Sequence, residues 1–223
     1  MTIARLQHWL QRNRAWADRM QRDNPEHFTN LAEQHAPELL WIGCSDGRVT
    51  PDRMLDTPAG SIFVHRNLGN VFATNDLNCL AVLQYAVEML KVPDIMVCGH
   101  YGCAGIRHAL CHHGSTPVDL WTDQIRFAYE RFHQDIDKID NLDDRCNRMA
   151  EFNVMAQVFN IARNAVVRDS WEHGQQLTIH GVCYRLDEGR LFSVCESISN
   201  KQDLERIHKQ GFSFKKDNYS AHS

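Results

Sequence analysis

Hydrophobic positions in this chain follow two spacings. Short runs, apolar on both alternating faces, lie at 39–45 (LLWIGCS), 61–67 (SIFVHRN), 94–100 (DIMVCGH) and 177–186 (LTIHGVCYRL). The last is followed, after Asp187-Glu188-Gly189, by RLFSVCE. Runs of this length predict strands, and the final pair predicts a hairpin. Between the second and third runs, Leu77, Leu80, Val82 or Leu83, Tyr85, Val87 and Leu90 recur at helical spacing, with Asn75 or Asp76 as the N-cap. A long helix is predicted over 148–174, stopped by Gly174. Ile3, Leu6, Leu10 and Met20, set among Arg and Gln, predict an amphipathic helix at the start of the chain. Segment 114–147, rich in Asp and Arg, is expected to form a surface helix and a connection.

Strands separated by helices require crossovers, and strands apolar on both faces belong to sheets covered on both sides. The expected fold is therefore α/β: a mainly parallel four-stranded sheet with an additional antiparallel edge strand, helices on both faces and an N-terminal helical arm. No repeat, low-complexity stretch or Pro/Gly-rich linker divides the chain, so residues 1–223 are expected to form a single domain, with the arm at 1–36 and a polar tail at 203–223.

Composition narrows the function without naming it. The length of 223 residues and 43% apolar content suit one domain with a sizeable core. A net charge of -4 and the lack of a basic stripe argue against nucleic acid as a partner. No run approaches the ~20 apolar residues that a membrane span needs. The first helix has no continuous apolar core of the kind a signal peptide carries, and Asp18 and Asp23 count against a transit peptide. The eight cysteines are then expected to be reduced thiols in a cytoplasmic protein. Cys98, Cys183 and Cys195 lie in apolar runs and are expected to be small buried hydrophobes.

Two of the strand ends carry chemistry. The first runs into Cys44-Ser45-Asp46-Gly47-Arg48. If the chain stays extended, Cys44, Asp46 and Arg48 share one face and point into one cavity. A thiolate beside a carboxylate calls for a cation. The third strand ends in CGHYGCAGI, where His100 and Cys103 stand i, i+3. Both segments lie at carboxyl ends of strands, where open α/β sheets bind their ligands. Cys44, His100 and Cys103 make a Cys₂His set that favours Zn²⁺ and leaves a fourth position for water or for Asp46. Structural zinc sites normally close with four Cys or His ligands, and three are evident here.

The order CSDGR (44–48), FVHRN (63–67), CGHYGC (98–103) resembles that of the β-class carbonic anhydrases. The resemblance runs roughly from 39 to 192 and takes in NVMAQV (153–158) and IHGVCY (179–184). It implies an enzyme with one zinc per subunit that hydrates CO₂ to bicarbonate and a proton by way of zinc-bound hydroxide, assembled as a homodimer or homotetramer. Zinc lowers the pKa of bound water towards ~7, a figure that belongs to the three-histidine carbonic anhydrase site and is borrowed here. Two thiolates donate more charge than imidazoles, so the metal should be the weaker acid, and the Asp46–Arg48 dyad is the candidate for compensation. In the family the acid orients the hydroxide, and the arginine holds the acid off the metal by a bidentate ion pair. Released by Arg48, Asp46 would become the fourth zinc ligand and close the site. Leu6, Trp9 and Leu10 need burial, which is expected against a partner subunit.

A subgroup of the family has a second, regulatory bicarbonate pocket, and Trp41, Gly43, Arg66 and Tyr184 stand at its matching places. A cation and two hydrogen-bond donors suit a small anion. Two positions depart from the family: Gly47 replaces a usual serine between acid and base, and Ala104 a common glycine after the second thiolate. His108 and His112 have a metal-capable i, i+4 spacing, but with no third ligand indicated they are expected to be exposed histidines able to carry protons. Two rival functions keep the same site. One is hydrolysis of carbon disulfide; the other is a non-catalytic zinc-bearing bicarbonate sensor closed by Asp46.

Overall fold

The computed structural model describes residues 2–33 and 36–211, with backbone alone at 2 and 3. Residues 212–223 of the expected tail, Ile3's side chain and residues 1, 34 and 35 of the expected arm lie outside that description. The chain divides into two units, Met1–Ala36 and Pro37–Ser223. The first contains α1 (Thr2–Asp23) and α2 (His27–Glu33). Trp16 and Phe28 meet edge to face across its turn at 5.7 Å between ring centroids. Leu6, Trp9 and Leu10 are exposed.

The second unit is built on β1 (Leu39–Cys44), β2 (Ile62–Asn67), β3 (Asp94–His100), β4 (Thr178–Arg185) and β5 (Arg190–Ser193). They form one sheet in the order β2-β1-β3-β4-β5. Every pair is parallel except β4–β5, so the expected parallel sheet with an antiparallel edge is what forms. Alternation along each strand then sorts the side chains. Leu40, Ile42, Ile95, Val97 and Ile179 join the main core, while Trp41 and Cys98 form a smaller cluster with Val49 on the other face. Cys98, Cys183 and Cys195 are all buried, as their apolar runs led us to expect.

Helices α4 (Leu77–Gln84), α5 (Ala104–Cys111), α6 (Pro117–Ile136), α7 (Leu142–Ala162), α8 (Ala165–Glu172) and α9 (Lys201–Gln210) contribute to the main core, and α3 (Pro51–Met54) adds Met54 to the smaller cluster. Helix α7 packs closely on the sheet. A Cβ at Gly99 or Gly181 would press on Val154, so the absence of side chains there lets the helix settle onto β3 and β4.

Four segments depart from the sequence pattern. The single helix expected over 148–174 is two. It starts earlier, where the Asn141 side chain accepts from the amides of Asp143 and Asp144, and it breaks where Asn164 caps α8 by accepting from Val166 N at 3.0 Å. The helix expected to run to 90 is capped by Asp76 as anticipated, but continues past Gln84 as a π-helical turn, Tyr85–Met89. Segment 114–147 is less superficial than its charge suggested. Thr122, Ile125, Ala128 and Ile136 of α6 are buried, and the helix is anchored by a reciprocal capping box between Thr116 and Asp119. The polar tail expected from 203 begins inside α9, whose Ile207 is buried.

Candidate metal centre

The sheet order puts β1 and β3 side by side, with Gly43 level with Cys98, so Cys44 and His100 emerge together at the carboxyl edge. The next residues turn off β3 through Gly102, whose φ of 67° lies in the left-handed region, and Cys103 caps α5. One atom from each of Cys44, His100 and Cys103 lies within 4.8 Å of the others, and all three residues are buried. Among the described residues this is the only such group of three or more.

Two observations test whether these residues suit zinc. The sulfurs of Cys44 and Cys103 are 3.9 Å apart; two thiolates at tetrahedral angles on one zinc are about 3.8 Å apart. The Nε2 of His100 is buried without a hydrogen-bond partner among the described residues, while Nδ1 lies 3.1 Å from the carbonyl oxygen of Tyr101. That carbonyl can only accept, so the proton belongs on Nδ1 and the Nε2 lone pair is left for a ligand. A buried nitrogen with no partner would otherwise be costly. The fit is good.

The sulfurs share a proton unevenly. A hydrogen bond from Cys103 lowers the Cys44 pKa against the opposing effect of burial, with help from His100 and from the backbone of Gly69 and Asp46. The same contact and burial raise Cys103, although amides of Gly105 and Ile106 in the first turn of α5 act the other way. A dication would remove the second proton as well.

Asp46 and Arg48 meet through a turn, since β1 ends at Cys44 and the extended run expected through residue 48 does not form. Val49 N bonds to Asp46 O at 3.1 Å, and the Asp46 carboxylate accepts Arg48's own backbone amide at 2.9 Å. The Arg48 guanidinium then takes both carboxylate oxygens, Nε to Oδ1 at 3.0 Å and Nη2 to Oδ2 at 2.6 Å. These contacts hold the Asp46 carboxyl well below the usual carboxylate range, against the opposing effect of burial. Oδ2 sits 3.9 Å from His100 Nε2, beside the candidate ligands. Gly47 is not required sterically, because a Cβ there would meet nothing within 4 Å.

Of the four residues matched to a regulatory pocket, Trp41 and Tyr184 belong to the smaller cluster. Trp41 is fully buried, and its indole Nε1 has no hydrogen-bond partner among the described residues. Gly43 makes room for that indole, since a Cβ would collide with Nε1. Arg66 is level with Gly43 on β2 and spends its guanidinium on the backbone, Nε on Cys44 O at 2.8 Å and Nη2 on Asp46 O. Sequence reasoning missed this bracing. Spacing places an arginine on a strand but cannot say which carbonyls its long side chain reaches.

It also missed Asn153 and Gln157, although two buried amides in an apolar helix are a visible signal. Asn153 donates to Gly69 O at 2.8 Å and Gln157 accepts from Phe72 N at 3.0 Å, which secures the loop after β2. His108 and His112 stack at 4.7 Å, and His108 Nε2 lies 2.8 Å from Asp119 Oδ1, so it is partly buried against a carboxylate and not freely exposed.

A family profile described as carbonic anhydrase matches residues 39–191. The chain is 40% identical over 184 residues to a carbonic anhydrase of Emericella nidulans, an alignment that spans 80% of this chain and 78% of that one. A β-carbonic anhydrase from Coccomyxa, solved in complex with acetazolamide, superposes with a TM-score of 0.85 at 33% identity over 92% of this chain and 96% of that one. One of two tetrameric β-carbonic anhydrases from Sordaria macrospora gives a TM-score of 0.81 at 34% identity over 87% and 98%.

Proposed function

The chain belongs to the β-class carbonic anhydrases, and on that premise we propose that it hydrates CO₂ reversibly at a zinc held by Cys44, His100 and Cys103, one ion per subunit. The observation that carries this reading is the meeting of three buried ligand atoms, one of them an imidazole nitrogen with no partner, beside a carboxylate held on both oxygens. Zinc in such a site supplies a hydroxide nucleophile from water at neutral pH. Asp46 stays ionised throughout that range and so remains a pure acceptor. It would accept a hydrogen bond from the O–H of a nucleophile held at that site and so orient it towards CO₂. Arg48 keeps the carboxylate in that orientation, and Arg66 braces the turn that carries it. Loss of the Arg48 contact would free Asp46 to move onto the ion and close the site.

The dyad's pH behaviour follows from the depressed carboxyl. A folded pKa below the unfolded value of about 3.9 means that the pair's contribution is complete above that pH and fades as pH falls through the folded value. Activity changes near neutrality therefore do not come from Asp46. Metal analysis combined with stopped-flow CO₂ hydration from about pH 7 to 9 tests the proposal. We expect one zinc per chain and turnover that rises steeply with pH. A sensor would bind zinc and hydrate no CO₂ at any pH; a carbon disulfide hydrolase would turn over that substrate instead.

The second pocket is favoured by the partnerless indole N–H of Trp41. We infer that Trp41, Gly43, Arg66 and Tyr184 receive a bicarbonate ion. Because the same guanidinium holds the carbonyls of Cys44 and Asp46, an anion drawn to Arg66 would loosen the turn carrying the dyad. Tyr184→Phe should then weaken bicarbonate inhibition of hydration while zinc content stays unchanged. Inhibition equal to wild type removes the pocket.

The tetrameric relative and the exposed Leu6, Trp9 and Leu10 support a homodimer or homotetramer. No helix among the described residues is long and apolar enough to cross a membrane. The eight free cysteines support a reducing, cytoplasmic setting.

A further inference from the structure

We infer that Asn147 and Glu151 on α7 are positioning residues for the metal centre: they hold the His100–Cys103 turn in the shape that presents both ligands. The inference rests on the zinc site proposed above and adds a function for two side chains outside it. Only Tyr101 and Gly102 separate the two ligands, and the chain must leave a strand, reverse and enter a helix within them. A turn this short has few internal hydrogen bonds, and its backbone groups need partners elsewhere.

Three of the four backbone groups of Tyr101 and Gly102 have identified partners. Tyr101 N–H donates to Tyr184 O at 3.1 Å, which extends the β3–β4 ladder by one bond. Tyr101 C=O accepts from His100 Nδ1 and sets the tautomer of the ligand. Gly102 N–H, on the residue with the left-handed φ, donates to the Asn147 side-chain oxygen at 2.9 Å. The Tyr101 ring is buried, and its hydroxyl donates to Glu151 Oε1 at 2.7 Å. Glu151 Oε2 is paired with Arg148, and the Arg185 guanidinium lies over the Tyr101 ring. Asn147 and Glu151 are i, i+4 on one helix and therefore lie on one face a turn apart. They fasten two consecutive residues of the turn to a helix that packs closely on β3 and β4.

Glu151 is only 3% exposed. A buried carboxylate is a poor way to gain stability when an apolar side chain of similar size would fill the space. Nothing in the proton chemistry proposed above uses it. Its two oxygens are spent on Tyr101 and Arg148, and through Tyr101 it acts on the carbonyl that orients His100. With the turn released, only a fraction of the apo protein would hold the ligands ready, and apparent metal affinity falls by that fraction. Partners of this kind typically contribute 10–100-fold in metal affinity.

The test uses the full chain, wild type beside Asn147→Ala, Asn147→Asp and Tyr101→Phe. Zinc affinity is measured by competition with a chromophoric chelator, and the visible spectrum is recorded after cobalt substitution. Melting of the metal-free proteins is followed in parallel. Asn147→Ala should bind zinc about 10-fold or more weakly and alter the cobalt bands. Asn147→Asp, which still offers an oxygen to Gly102 N–H, should recover most of the affinity, and Tyr101→Phe should weaken it through the second anchor. Affinity and cobalt spectra equal to wild type in both Asn147→Ala and Tyr101→Phe overturn the inference, even if both melt earlier, because that is the pattern of a purely structural role. If Asn147→Ala does not fold, Tyr101→Phe, which deletes a single oxygen, decides alone. Zinc absent from the wild type sinks the metal site and this inference together, whereas zinc bound equally by all variants sinks this inference only.

Discussion

Asp46→Asn is expected to leave zinc bound and to lower CO₂ hydration by on the order of 10²-fold or more. The substitution keeps the side chain's shape, and Cys44, His100 and Cys103 are untouched. Its effect is on hydrogen bonding. The carboxylate now accepts Arg48 Nε on Oδ1 and Arg48 Nη2 on Oδ2. An amide has one acceptor, so an NH₂ group would face either the guanidinium or the nucleophile, donor against donor in both cases. The orientation of the nucleophile is lost while its source remains. Zinc content by metal analysis, read beside stopped-flow hydration at a single alkaline pH, separates the two. Hydration near the wild-type rate would remove Asp46 from the mechanism.

Cys44→Ala should abolish both metal and activity. His100 and Cys103 would remain, two ligands where catalytic zinc sites use three. Cys44 is buried and small, so alanine fits without a clash and the sheet should still form. The variant should come through dialysis without zinc, hydrate CO₂ no faster than buffer, and lose the extra thermal stability that bound metal confers on the wild type. Stoichiometric zinc together with retained turnover would place the ion elsewhere.

How much of this was legible beforehand depends on how local each feature is. The strands were recognisable almost to the residue, because apolar residues on both faces over six or seven positions suit little else. The candidate ligands were recognisable from type and position at strand ends, and their identity is a covalent fact of the chain. Helix boundaries were harder. An apolar pattern continues through Arg163 and Asn164, and only the competing cap at Asn164 breaks it. Cysteine burial followed from its surroundings, whereas the exposure expected for His108 did not hold, since Asp119 arrives from the next helix.

The sequence by itself determined the α/β alternation, the residues fit to hold a metal and the acid–base pair beside them, because each is encoded within a few neighbouring positions. Only the tertiary structure decided that Cys44 and Cys103, 59 residues apart, face each other across 3.9 Å. It also decided that Asp46 meets Arg48 through a turn, that Arg66 braces the carbonyls behind them, and that α7 reaches under the His100 turn. Each of these depends on the order in which strands join the sheet and on the direction a long side chain takes. Both are settled by packing, which no local pattern records.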